Sequence, residues 1–194
     1  MAKRVLIVAT DGFEQSELLG PKQALESAGY KTTVASLKTG KIKGWHSGNW
    51  GESVKVDKLI DDIEVEDYAA LLLPGGQMNP DILRMEERVI DLVIDFDDAG
   101  KPIAAICHAP WLLVEADIVD GRTVTGWPSI RTDLENAGGN VVDEEVVVDG
   151  NLITSRMPDD IPAFSAALID ALEEIEEEEE EDDVEEEQDE VEEL

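Results

Sequence analysis

One cysteine, two histidines and fifteen basic residues are all that this 194-residue chain has of those types. A lone cysteine excludes an internal disulfide and gives no sign of an oxidising compartment. His46 and His108 lie far apart, and with one cysteine they offer no zinc-type ligand spacing, so neither a metal nor a cofactor is expected. Against 15 Lys and Arg stand 47 Asp and Glu, a net charge of −32. Such a deficit of positive charge opposes contact with a phosphate backbone, and nucleic acid is not an expected partner. Long apolar runs are missing too. The N-terminal run from Val5 to Ala9 ends at Thr10-Asp11, short of a secretory signal core, and no segment reaches the length of a membrane span. The expected setting is cytoplasmic, with no membrane partner.

What the chain does have in abundance is acid. Residues 173–194 hold 17 of the 47 acidic residues and no basic one. The remaining acids are spread over many segments, as in "DLVIDFDDAG" (91–100), rather than gathered into a patch for a cationic partner. That dispersal fits a halophilic protein, because at molar salt the Debye length falls to about 3 Å and self-repulsion is screened. Residues 1–172 suit one domain with a substantial core, at 42% hydrophobic content over the chain. The acidic tail, 173–194, has too few apolar residues to offset the entropy of ordering. It is expected to be disordered or a frayed extension of the last helix.

Within the body, short runs rich in Val, Ile and Leu alternate with amphipathic stretches. "RVLIVA" (4–9), "KTTVASL" (31–37), "YAALLLPGG" (68–76) and "PIAAI" (102–106) read as buried strands. Helical patterns cover about 16–28 and 81–96, closed by Gly29 and Gly100. Crossovers of that length join parallel strands, so the fold class is α/β, open and doubly wound. After Gly121 the texture changes to a short strand, a turn at Trp127-Pro128, a helix ending at Gly138-Gly139, β structure turning at Asp149-Gly150, and a last helix over about 162–172.

Three segments that follow strands carry chemistry. In "AAICHAP" a strand ends at Ile106 and a helix opens near Pro110, which leaves Cys107 on the strand-to-helix turn at the carboxyl edge of the sheet. Small residues two before and two after it, Ala105 and Ala109, match the steric logic of a nucleophile elbow. A helix N-terminus there predicts a depressed thiol pKa. The alternative is a buried cysteine acting as a small hydrophobe. His108 is adjacent, although neighbouring side chains at such a turn can diverge. Glu14, in "DGFEQSEL", opens the first helix at the same edge, where an acid also complements the helix dipole. Gly75 and Gly76, in "LPGGQMNPD", either bring backbone N–H groups to an oxyanion or simply make a tight turn.

Together with "IKGWHSGNWGE", "GKPIAAICHAPWLLVEADIVDGRTVTGWPSIRTDLENAGG" and "VVDEEVVVDGNLITSRMPDDIPAF", these segments resemble the ThiJ/PfpI superfamily. Within it they resemble the PfpI-type intracellular proteases, also described as protein deglycases. The resemblance implies a flavodoxin-like sandwich with a mainly parallel central sheet and Cys107 as nucleophile. It further implies Glu14 beside the sulfur as a protonated carboxyl, and His108 paired with Asp81 of a neighbouring subunit. The N–H groups of Gly76 and His108, beside Gly75, would form the oxyanion hole, and Trp45, His46 and Trp111 would border the cleft. A homo-oligomer, dimer or hexamer, follows, with the active site at a subunit interface. The implied activity is that of a cysteine-dependent stress-type enzyme acting on reactive carbonyls, glycated amino groups or peptide bonds. The alternative is a redox-sensing or chaperone-like stress protein without turnover.

Overall fold

The computed structural model describes residues 3–192, with side chains through residue 177. The chain opens with β1 (Arg4–Val8), α1 (Gln15–Ser27) and β2 (Lys31–Ser36), then a hairpin of β3 (Lys41–His46) and β4 (Asn49–Lys55), and the short β5 (Lys58–Leu59). It continues through β6 (Ala70–Leu73), α2 (Met78–Leu83), α3 (Glu87–Asp98), β7 (Ile103–Ile106) and α4 (Pro110–Glu115). Next come β8 (Thr123–Val124), α5 (Arg131–Asn136), β9 (Asn140–Val141), β10 (Val146–Asp149), β11 (Leu152–Ser155) and α6 (Ile161–Glu192).

Seven strands form one sheet in the order β10-β11-β7-β6-β1-β2-β5, parallel throughout except for β10 at its edge. The expected doubly wound, mainly parallel α/β sandwich is what the chain forms. Strand side chains alternate between faces, so a sheet covered on both sides needs strands apolar at every position. β1 shows this: Leu6 and Val8 enter a core shared with α3, α4 and α5, while Val5 and Ile7 enter one shared with α1 and α6. Burying each such side chain stabilises by about 1.5–3 kcal/mol.

Three boundaries differ from the sequence reading. The helix expected over 81–96 is two helices, because Glu86 takes an extended conformation (φ −101°, ψ 106°) between α2 and α3. The hairpin at 41–55 had no apolar run to mark it. Its two-residue turn, Ser47-Gly48, has positive φ at both positions (48° and 80°), which is the geometry that suits the twist of paired strands. The last helix does not stop near Leu172; α6 runs to Glu192. Residues 193 and 194 of the acidic tail lie outside the described residues. No helix among the described residues is long and apolar enough to cross a membrane.

Candidate active site

The carboxyl ends of β1, β6 and β7 lie side by side in the middle of the sheet, and the loops that leave them meet around Cys107. Cys107 follows β7 with φ 64°, in the left-handed region. For a residue with a Cβ this costs on the order of 1–3 kcal/mol, so the surroundings must impose it. They do so through hydrogen bonds. The Cys107 N–H donates to the Ser155 carbonyl (3.0 Å), and the Cys107 carbonyl accepts from the Trp127 N–H (2.8 Å). Ala105 and Ala109, both wholly buried, let strand and helix close up on either side. The sulfur-bearing residue is only 6% exposed, yet it stands at the ligand-binding edge of the sheet.

The acid beside the sulfur is Glu17, not Glu14. Glu14 is the N-cap of α1; its carboxylate accepts from the Ser16 hydroxyl (3.1 Å). One turn later Glu17 points inward from the face of α1 that also carries Leu18, Pro21 and Leu25. It is wholly buried, its Oε2 accepts from the Gly75 N–H (2.9 Å), and its carboxyl meets the Cys107 thiol. Oε1 finds no conventional hydrogen-bond partner among the described residues. Burial, reinforced by the Glu14 charge, pushes the Glu17 carboxyl up to about 8, against the pull of the thiol and of the Gly75 and Gly76 N–H groups. At neutral pH Glu17 therefore keeps its proton, and the orphaned Oε1 is where a buried carboxyl would carry it. The acid on an apolar helix face was the signal that distinguishes Glu17 from Glu14.

Burial also pushes the Cys107 thiol up, and the charge of Glu17 adds to the rise. The expected depression of this pKa is not met. The helix that follows, α4, has only six residues, and desolvation outweighs whatever its N-terminus supplies. Two donors work in the opposite sense: the backbone N–H groups of Gly76 and His108 point at the sulfur. Gly75 is not a third, since its N–H is engaged by Glu17.

The glycines are fixed by contact as well as by conformation. A Cβ on Gly75 would meet Glu17 Oε2, the Ile106 carbonyl oxygen (2.5 Å) and Cys107 Cβ (2.7 Å). Gly76, at φ 81°, would press on the Gly12 carbonyl (2.7 Å) and the Glu14 nitrogen (2.6 Å). Asn79, wholly buried, bolts this loop to the one after β1: its amide donates to the Pro74 carbonyl (2.8 Å) and its Oδ1 accepts from the Thr10 N–H (2.8 Å). Gly75→Ala is accordingly expected to cost about 1–3 kcal/mol or more in overpacking and to slow alkylation of Cys107, measured by denaturant titration and iodoacetamide kinetics.

His108 turns its ring onto Cys107, with Nδ1 3.3 Å from Sγ, so the two adjacent side chains do converge. The ring stacks on Trp127 (centroids 5.7 Å, 23°) and meets the edge of Trp111 (5.1 Å, 61°). Trp111 is fixed in turn by its Nε1–H to Asp133 (2.8 Å), with the Arg84 guanidinium 5.4 Å above its ring. Burial lowers the His108 pKa, which favours a neutral imidazole.

Trp45 and His46 sit at the tip of the β3–β4 hairpin. The hairpin joins the segment after β1 through the Trp45 N–H to the Phe13 carbonyl (2.7 Å), so it lies beside Glu14. Trp45 packs on Trp50, and His46 approaches Ser47. Asp81 is exposed on α2. Among the described residues neither Asp81, Trp45 nor His46 shares a hydrogen bond or ring contact with Cys107 or His108. The structure thus brings Cys107, His108, Gly76 and Trp111 together, and adds Glu17, Trp127 and Asn79.

Residues 3–171 match the profile of the DJ-1/PfpI family. General stress protein 18 of Bacillus subtilis is 45% identical over 174 residues, covering 89% of this chain and 99% of that protein. Protein/nucleic acid deglycase 2 of Escherichia coli is 43% identical over 167 residues, covering 85% and 95%. Among solved structures, DJ-1beta of Drosophila melanogaster superposes with a TM-score of 0.80 at 29% identity, covering 90% of this chain and 96% of that one.

Proposed function

The chain belongs to the DJ-1/PfpI family, and from that premise we propose that it is a cysteine-dependent enzyme acting at the carbonyl carbon of reactive aldehydes or glycated amino groups. One observation carries the reading: a strained, buried Cys107 with a histidine nitrogen 3.3 Å from its sulfur, a proton-bearing Glu17 carboxyl against it, and two backbone N–H groups aimed at it. A raised thiol pKa suits general-base attack better than a resting thiolate does. As sulfur bonds to the carbonyl carbon, the S–H proton passes to His108 Nδ1 and the carbonyl π electrons move to oxygen. Proton return from His108 to that oxygen gives a hemithioacetal. With a 2-oxoaldehyde, transfer of the carbinol C–H proton to the ketone oxygen gives an enediol. Return of the first hydroxyl's proton to the former ketone carbon yields a thioester, and water releases a 2-hydroxy acid and the free thiol. With an amide the same parts serve, His108 protonating the leaving amine.

Assembly is part of the same proposal. Asp81 shares the surface of α2 with Met78 and Ile82, and Met85 follows in the turn after the helix, three exposed apolar side chains suited to a second copy of the chain. The deciding assay resolves products. Methylglyoxal, a glycated peptide and an unmodified peptide are incubated with the protein in high salt, before and after alkylation of its single thiol. Consumption of at least one substrate, abolished by alkylation, is expected. Selective peroxide oxidation at Cys107 with no substrate consumed would instead favour the redox sensor.

A further inference from the structure

His108 has both ring nitrogens occupied within one chain. Nδ1 faces the Cys107 sulfur at 3.3 Å, and Nε2 lies 3.4 Å from the Ser129 hydroxyl. Ser129 sits in a 3-10 turn, Pro128–Ile130, that is tied to the elbow itself: Trp127, which precedes it, donates to the Cys107 carbonyl (2.8 Å). Ile130, wholly buried, anchors the other side of the turn, and its N–H returns to the Trp127 carbonyl (3.0 Å). The hydroxyl is therefore placed by the same backbone that places the nucleophile. Trp127 and Trp111 hold the ring between them and deny it a flip.

We propose that Ser129 is a positioning residue: its hydroxyl accepts the Nε2–H of neutral His108, leaving the Nδ1 lone pair directed at the Cys107 thiol. This rests on the reading of Cys107 as a nucleophile. In a neutral imidazole one nitrogen donates and the other accepts, so a partner that takes the Nε2 hydrogen decides which way the thiol proton moves. On attack, the S–H bond breaks toward Nδ1 as the C–S bond forms, and the imidazolium keeps its Nε2–H on Ser129. A hydroxyl does this without a full negative charge, so the ring stays neutral until it takes that proton. The charged and titratable groups around His108 are Cys107, with Glu17 of α1 beyond the sulfur, and, across Trp111, Arg84 after α2, Glu115 of α4 and Asp133 of α5.

The test uses the full-length protein labelled with nitrogen-15 histidine, as wild type, Ser129→Ala and Ser129→Thr. Ring nitrogen shifts report the tautomer, and iodoacetamide kinetics across pH report the thiol. Wild type should show the Nε2–H tautomer. Ser129→Ala should show a mixture and alkylate roughly tenfold or more slowly at neutral pH. Ser129→Thr should restore both. Ser129 is exposed, so all three should melt alike. A wild-type Nδ1–H tautomer, or an alanine variant with unchanged tautomer and rate, would overturn the proposal. Neither readout needs a substrate. Absence of carbonyl turnover would therefore sink the proposed function alone, and a silent alanine variant with turnover intact would sink the role of Ser129 alone.

Discussion

Serine at position 107 is expected to reduce carbonyl turnover on the order of 10³-fold or more while leaving the melting temperature within a few degrees. The two parts of the expectation have separate physical grounds. Serine keeps a Cβ, so the left-handed backbone at φ 64° carries the same cost, and both hydrogen bonds of the elbow backbone survive. What changes is the nucleophile. An alcohol ionises far less readily than even a thiol raised by burial, and it lacks sulfur's polarisability. The imidazole that is a sufficient base for Cys107 is then a poor one, because burial also lowers the His108 pKa. Product formation from methylglyoxal, read beside a thermal melt, checks both halves. Turnover within tenfold of wild type would place the reacting atom elsewhere than at residue 107.

Much of this arrangement was legible in the sequence, and the exceptions have physical reasons. Strands buried on both faces are apolar at every position, so "RVLIVA" and "PIAAI" announced themselves, and the elbow followed from where the second of them ended. The hairpin at 41–55 is polar and largely exposed, so no apolar run marked its strands. The choice between Glu14 and Glu17 needed the third dimension. Both acids stand at the start of α1, but Glu14 is the extended N-cap residue (φ −64°, ψ 119°) whose carboxylate is held by Ser16, whereas Glu17 is inside the helix on the buried face with Leu18, Pro21 and Leu25. Ser129 was equally hidden, because 21 residues separate it from the ring it touches. The thiol pKa went the other way from expectation because sequence reveals a following helix but neither its shortness nor the depth of burial.

Replacing Glu17 by glutamine is expected to reverse part of the protein's pH dependence of stability. The Glu17 carboxyl has an ordinary value near 4.5 when unfolded and about 8 when folded. Below the first value both states hold the proton and the group favours neither. Between the two, unfolding releases a proton, so each rise of one pH unit lowers stability by roughly 1.4 kcal/mol, levelling off above the folded value. Glutamine has nearly the same shape, can still accept from the Gly75 N–H, and cannot ionise. Wild type should therefore lose several kcal/mol relative to Glu17→Gln between pH 5 and pH 9, as on the order of 1.4 kcal/mol per unit accumulates. The surface acids act in the opposite sense. Asp11, Glu26, Asp143 and Asp149 have lowered values, most through basic side chains beside them, and their contribution is lost as pH falls. Those pairs are exposed and screened by salt, whereas the Glu17 environment is wholly buried. Denaturant titrations of both proteins in high salt should therefore isolate the buried acid, with the two stability curves converging near pH 5 and separating toward pH 9. Curves that stay parallel across that range would mean that Glu17 is ionised in the folded protein and does not hold a proton against Cys107.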